Sequence, residues 1–329
     1  MKKTLALILA LVMALGLAAC GGGTTDEGSE TGGETTGVTK LSMATGGTSG
    51  TYYGFSGVVA QVLNEKLADT LNITVQSTGA SAANIDLVET GENQLAIVQN
   101  DVMYYAYSGT DMYADKTPYE NYSAVMSCYP EYVQIVANQN ITSIDQLKGK
   151  KVSVGDAGSG VEFNARQILA AYGIDIDSDI IKQNQSFADS ADSLKNGTID
   201  AAFVVAGYPT TAVSELASTY SFNLLPIDQE HADALMGDYG FYTYGTIPAN
   251  TYTCVADETV CVAVKAVFTA SKDLSEDVVY EITKAMFDNQ ADLAKAQAKF
   301  GFLSPEGAVA GSFDLHPGAE KYYKEIGVL

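Results

Sequence analysis

Apolar residues fall into short runs of two periodicities, with glycine, serine and threonine where one gives way to the other. Leu41 to Ala44 is a short strand-like run that breaks into Gly46-Gly47-Thr48-Ser49-Gly50-Thr51. Val58, Val59, Val62, Leu63 and Leu67 follow at helical spacing, which predicts a helix from Ser56 to Thr70. Leu71 to Gln76 alternates as a strand does and runs into a second polar loop, Ser77-Thr78-Gly79-Ala80-Ser81. Asn84 to Glu89 reads as helix stopping at Gly91. Leu95 to Val98 reads as a buried strand ending at Gln99-Asn100-Asp101, and Val102 to Gly109 as a tyrosine-rich helix. This alternation predicts a parallel α/β sheet, in which loops at the strand C-termini are the ligand-binding positions.

Two strand-like pieces, Ala124 to Cys128 and Tyr132 to Ala137, are divided by Tyr129-Pro130-Glu131, and a first crossing between lobes is expected there. The plan then repeats. Ile144 to Leu147 leads to Gly149, Lys151 to Val154 is a strand, Gly155-Asp156-Ala157-Gly158-Ser159-Gly160 is a loop, and Val161 to Tyr172 is a helix. Ser159-Gly160 echoes Ser49-Gly50 at an offset of 110 residues. VETGENQLAIV, Val88 to Val98, matches LKNGTIDAAFV, Leu194 to Val204, at an offset of 106. Each is a helix end, a glycine cap and a buried strand. Thr210 to Ser218 reads as helix, Phe222 to Ile227 as strand, Asp228 to Thr259 as irregular, and Val260 to Thr269 as the returning strand. Ser275 to Phe287, capped by Ser275, and Asn289 to Phe300 are helical, and Ala319 to Ile326 is a final amphipathic piece. The expected division is 40–134 for lobe I, 135–254 for lobe II and 255–329 for the return to lobe I.

Met1 to Ala19 precedes this pattern as a leader, with Lys2 and Lys3 followed by an uncharged apolar run. Leu17-Ala18-Ala19-Cys20 is similar to a bacterial lipobox, which implies cleavage before Cys20 and a lipid on its thiol. From Cys20 to Thr39 the chain has almost nothing to bury, so a disordered tether spanning roughly 25 Å is expected. The net charge of −22 becomes −24 once Lys2 and Lys3 leave. Such acidity argues against nucleic acid as a partner, and an anionic ligand would have to be held by local groups. Cys254 and Cys261 could close a small loop, or Cys128, Cys254 and Cys261 all stay free and buried. Asp175, Asp177 and Asp179 imitate the start of a calcium loop, but Ile180 and Ser186 stand where its glycine and glutamate belong. Neither histidine, His231 or His316, has a nucleophile elbow to serve, and no cofactor motif is present. The chain therefore reads as a binding protein rather than an enzyme, without cofactor or metal.

The candidate chemistry lies in the polar loops. A strand that breaks into glycine and hydroxyl residues and then opens a helix leaves the first helical N–H groups unpaired, and a carboxylate or phosphate can take them. The order TGGTSGTYY, QSTGAS with Asn84, VQND, GSGVEFNARQIL, FVVAGYPT and DLHPGAEKYYKE resembles the TAXI group of TRAP-transporter solute receptors, from about Leu41 to Gly327. That resemblance implies a two-lobed periplasmic-binding-protein fold of the second type. It also implies a receptor outside the cell membrane, delivering a small carboxylate or amino acid such as glutamate or glutamine to a TRAP permease; lipid anchoring is expected from the lipobox, and a monomer is expected. A receptor of the same fold serving an ABC importer or a sensor is the alternative.

With the resemblance, Thr48, Ser49, Gly50 and Thr51 are expected to hold a ligand carboxylate, with Tyr52 or Tyr53 walling the cleft. Ser77, Thr78, Ser81 and Asn84 form the second loop. Gln99 and Asp101 end the third strand, where Asp101 would receive an ammonium group or merely cap the following helix. From lobe II, Ser159, Gly160, Val161 and Asn164 face the ligand's other end, and Gly207, Tyr208 and Pro209 bring backbone and a ring across. Arg166, the only arginine, is expected to meet a carboxylate structurally.

Overall fold

The computed structural model describes residues 37–311 and 314–329. The leader, Cys20 and most of the tether lie outside them. Thr39, placed in the tether by composition, already pairs with Leu71 in the first strand. Lobe I starts with β1 (Thr39–Ala44), α1 (Thr51–Lys66), β2 (Leu71–Gln76), α2 (Ser81–Glu89), β3 (Leu95–Gln99) and α3 (Asn100–Ser108). The long β4 (Tyr122–Asn138) leads into lobe II. There the chain forms β5 (Lys151–Ser153), α4 (Gly160–Ala171), β6 (Ile181–Gln183), α5 (Phe187–Lys195), β7 (Ala201–Ala206), α6 (Thr211–Ala217), β8 (Phe222–Leu225), α7 (Gln229–Asp238) and β9 (Thr243–Ile247). A second long strand, β10 (Thr259–Ser271), returns to lobe I. It is followed by α8 (Glu276–Asp288), α9 (Gln290–Ala296), α10 (Pro305–Ala308) and α11 (Pro317–Glu325).

The two lobes repeat one strand order. In lobe I, β2, β1 and β3 run parallel and β10 pairs antiparallel to β3. In lobe II, β6, β5 and β7 run parallel and β4 pairs antiparallel to β7. Every residue of β3 and of β7 is buried, as parallel strands covered on both faces require. The sequence echo has a backbone counterpart. Gly91 N donates to Val88 O and Asn93 N to Leu87 O, and at the same offset Gly197 N donates to Leu194 O and Ile199 N to Ser193 O. Both glycines have positive φ, 78° and 68°, which favours glycine there.

Each lobe has its own core. In lobe I, Phe55, Val59 and Leu63 of α1 pack against the sheet, and Phe55 stacks on Phe300 at 4.0 Å. In lobe II, Ile168 and Leu169 of α4 pack with Val152, Phe203 and Val205. Gly37–Leu329 forms one compact unit. Among the described residues, no helix is long and apolar enough to cross a membrane.

Three expectations need correction. First, α1 begins at Thr51, not Ser56, because Tyr52, Phe55 and Ser56 are already on its buried face. Second, the two pieces around Pro130 are one strand. Pro130 pairs with Lys265 where β4 changes partner from β10 to β7, so its missing N–H falls at the change of ladder. Third, the span from Asp228 to Thr259 is not irregular. Asp228 caps α7 by accepting a bond from His231 N at 3.1 Å, and β9 is a mostly exposed strand on β10. Of the two readings left open for the cysteines, the free one holds: Cys128, Cys254 and Cys261 are all thiols, the first and last buried and Cys254 half-buried. The short β6 was not foreseen.

Candidate functional site

The sheet order brings the C-terminal ends of β1 and β5 to face one another. The chain leaves β1 through Thr45 to Gly50 and enters α1; it leaves β5 through Val154 to Ser159 and enters α4. Between these loops is a hollow with about 40 Å³ for the centres of water-sized molecules. At about 10–15 Å³ each, that is room for a few waters, so the lobes stand close together. Gly46, Gly47, Ser49, Gly50, Thr51 and Tyr52 form one wall, with Ala80, Ser81, Gln99 and Glu131 behind them. Asp156, Ser159, Gly160, Val161 and Phe187 form the opposite wall, closed by Val205 and Ala206 at the end of β7.

The two loops differ in how they treat their helix ends. Gly50 precedes α1 in extended backbone and no side chain caps that helix, nor does its first turn carry an acid. Ser159 caps α4, its Oγ accepting from Glu162 N at 3.3 Å, and Glu162 Oε2 accepts from Gly158 N at 2.8 Å. The start of α4 is thus capped at its third N–H by a side chain, whereas the start of α1 has no side-chain cap. Gly155 turns lobe II's loop at φ +88°, with no space for a side chain beside Val161 and Ser159.

Of the residues singled out in the sequence, Ser49, Gly50, Thr51, Tyr52, Ser81, Gln99, Ser159, Gly160 and Val161 line the hollow. Tyr52 OH donates to Glu131 Oε2 at 2.7 Å and lies 3.3 Å from Ser81 Oγ, which accepts from Gln99 N at 3.1 Å. The remaining residues lie elsewhere. Thr48 and Pro209 are exposed, and Tyr53 is half-buried outside the lining. Ser77 Oγ donates to Gly46 O at 2.9 Å. Thr78 Oγ1 lies 3.0 Å from Thr45 O and 2.5 Å from Asn84 Oδ1, the two acceptors in reach of its single O–H. Asn84 Nδ2 donates to Thr45 O at 2.5 Å and Ile97 O at 2.7 Å, clamping the ends of β1 and β3.

Asp101, Asn164 and Gly207 join the lobes beside the hollow rather than lining it. Asn164 Nδ2 donates to Asp101 Oδ2 at 2.9 Å and to Tyr242 OH at 2.9 Å, while Asn164 Oδ1 accepts from Gln99 Nε2 at 3.0 Å. Gln167 Nε2 continues the seam to Tyr105 OH at 3.0 Å and Asp111 Oδ2 at 3.2 Å. Burial pushes the Asp101 carboxyl up to about 6 despite its bonds from Asn164 and Val102 N. Asp101 Oδ1 accepts from Val102 N at 2.9 Å, a local bond at the start of α3, so it is engaged on both sides. Thr51 Oγ1 donates to Gly207 O at 3.2 Å, and Lys299 Nζ donates to Tyr208 O. The Tyr208 ring tilts against Tyr132 at 4.5 Å. At Gly160 the lobes pack too tightly for any side chain, since a Cβ there would lie 1.7 Å from Gln99 Oε1.

Two acids in the lining escaped the sequence reading, Glu131 and Asp156. Glu131 is 1% exposed, and burial drives its carboxyl well above the usual carboxylate range although Tyr52 donates to it. Its signal in the sequence is that it is the one charged residue in the run from Tyr122 to Asn138. Burial, then Asp189 nearby, raises the Asp156 carboxyl too. Arg166 pairs with Asp177 at 2.6 Å, Lys182 with Asp177 at 3.1 Å and Lys148 with Asp179 at 3.5 Å, so two of the three calcium-like aspartates are engaged by cations, and Asp175 Oδ1 accepts from Asp177 N at 2.8 Å. Among the described residues, no group of three His, Cys, Asp or Glu side chains is arranged to hold a metal ion.

Solved structures share this architecture. A protein described as a periplasmic transporter is similar over 89% of this chain and 94% of its own, at 15% identity and a TM-score of 0.53. A Bordetella bronchiseptica RB50 protein is similar over 88% of this chain and 81% of its own, at 16% identity and a TM-score of 0.51. These likenesses carry the fold, that of the two-lobed periplasmic binding proteins. The model of the NMT1-like family matches residues 43–327, nearly all of the described chain, and the protein belongs to that family.

Proposed function

We propose that the protein is an extracytoplasmic solute-binding receptor. It would hold a small amino acid or carboxylate between its lobes and hand it to a membrane importer, without turning it over. One observation carries this reading: Ser49-Gly50 and Ser159-Gly160, from opposite lobes, line the same hollow, and two long strands connect the lobes beside it. Micromolar affinity needs about 8 kcal/mol. A few charge-assisted bonds at ~1.5–3 kcal/mol each would supply it after ordering costs. A ligand touching both walls would favour the closed arrangement, and an importer that recognises that arrangement would take only loaded receptor.

The importer could be a TRAP permease, as the motif order from Leu41 to Gly327 suggests, or an ABC importer. The ABC reading fits at least as well, because the family match does not single out the TAXI group and no residue of the hollow favours either machinery. Lipid anchoring through Cys20 on the outer face of the membrane belongs to the same proposal and rests on the LAAC sequence. A thermal-shift and calorimetric screen against amino acids, 2-oxoglutarate and dicarboxylates tests the reading. A saturable one-to-one ligand supports it; no binding by any small solute contradicts it. Uptake into vesicles carrying the partner permease, driven by ATP or by an ion gradient, then separates the two importers.

A further inference from the structure

The hollow has carboxyl groups on both walls, Glu131 from lobe I and Asp156 from lobe II, and no lysine, arginine or histidine in its lining. Glu131 is fixed at one oxygen only. Its Oε2 accepts from Tyr52, and no hydrogen bond among the described residues reaches its Oε1. Gln99 in the same lining, 2% exposed, gives its Nε2 to Asn164 and leaves Oε1 buried without a partner among the described residues. Lys299 does not line the hollow, and its Nζ donates to Tyr208 O. The free Glu131 oxygen is open to a donor, and the Gln99 amide oxygen is buried without one, where an unpaired acceptor is costly. A buried carboxylate demands a positive partner or a proton. An ammonium group meets the demand, since it is all donor and no acceptor.

We propose that the ligand carries a positively charged amine, and that Glu131, with Gln99 in the same lining, is the group that receives it. This rests on the receptor reading and narrows it. A carboxylate on the same ligand would be served by the uncapped start of α1, making a small amino acid the best fit, whereas a dicarboxylate would bring a second negative charge to Glu131. The role given to Asp101 in the sequence passes to Glu131, thirty residues on and in the other kind of position, a strand where the lobes cross.

The test uses the full mature chain and calorimetry at one pH. The probes are the common L-amino acids, their 2-hydroxy analogues, simple primary amines, and succinate and malate. An amine-bearing binder is expected to lose at least 100-fold in affinity when its amine is replaced by hydroxyl, and Glu131→Gln should shrink that ratio below 10-fold. Simple amines binding without a carboxylate also support the assignment and reduce the part played by α1. A 2-hydroxy acid or dicarboxylate that binds the wild type as tightly as any amine overturns the assignment and leaves the receptor standing. Failure of every probe class, together with failure of the wider solute screen, would instead remove the receptor itself. The wild-type ratio is read without any variant, so it decides the matter even if Glu131→Gln folds poorly.

Discussion

The same dipeptide opens a helix in each lobe, yet the two helix starts differ. In lobe II, Ser159 is the cap of α4 and Glu162 folds back to Gly158, so side chains take the N–H groups of Glu162 and Gly158. In lobe I the homologous Ser49 lies one residue outside the cap position, Gly50 supplies no side chain, and the first N–H groups of α1 face the hollow uncapped. Repetition of a motif has therefore yielded one uncapped helix start and one capped, closely packed one. Gly160, the helix residue next to the lobe II cap, is pressed against Gln99. Lobe I offers the open helix start and lobe II offers a flat lid that can approach.

The sharpest way to break this contrast is to thicken the lid. Gly160→Val places a side chain where even a Cβ would overlap Gln99 Oε1. The lobes would be held apart while each kept its own core. Overpacking costs about 1–3 kcal/mol, so ligand affinity should fall on the order of 100-fold. Unchanged affinity would mean that the two walls need not meet.

The seam beside the hollow gives a pH prediction. The Asp101 carboxyl is raised from 3.8 to about 6, so the joined structure binds its proton more tightly than the unfolded chain does. Its favourable contribution is complete below 3.8 and is lost as pH rises through about 6. Asp101→Asn cannot ionise. Its unfolding free energy relative to wild type should therefore rise by about 3 kcal/mol between pH 3.5 and pH 7.5, whatever its constant offset. Denaturant titrations of both proteins across that range measure it; a flat difference would show that Asp101 is not desolvated at the seam.

The smallest effect separates the two serines directly. Ser159→Ala removes a cap and should cost about 1 kcal/mol of stability. Ser49→Ala removes none and should leave stability unchanged within about 0.3 kcal/mol, as away from such features. Equal losses in melting experiments would erase the distinction between the lobes.

The repeat was legible because buried parallel strands and glycine-stopped helices leave an unmistakable local pattern, as Gly91 and Gly197 show. The position of α7 was not. Only Ala232 and Leu235 of that helix are buried, so its apolar signal is thin, and its start is marked by Asp228 alone. For the site, the loops were legible because their hydroxyl and glycine residues are local. The partition between lining and seam was not, since Asp101 and Asn164 meet 63 residues apart in sequence. Glu131 was hidden for a related reason: a strand continuous through a proline places that acid between the lobes, and periodicity around Pro130 had divided the strand instead.

Small-angle scattering of wild type and Gly160→Val, each with and without a ligand found by the solute screen, tests closure of the two lobes most directly. Closure predicts that ligand contracts wild type and leaves the valine variant expanded. Identical profiles for all four samples, with the ligand bound in each, would contradict it.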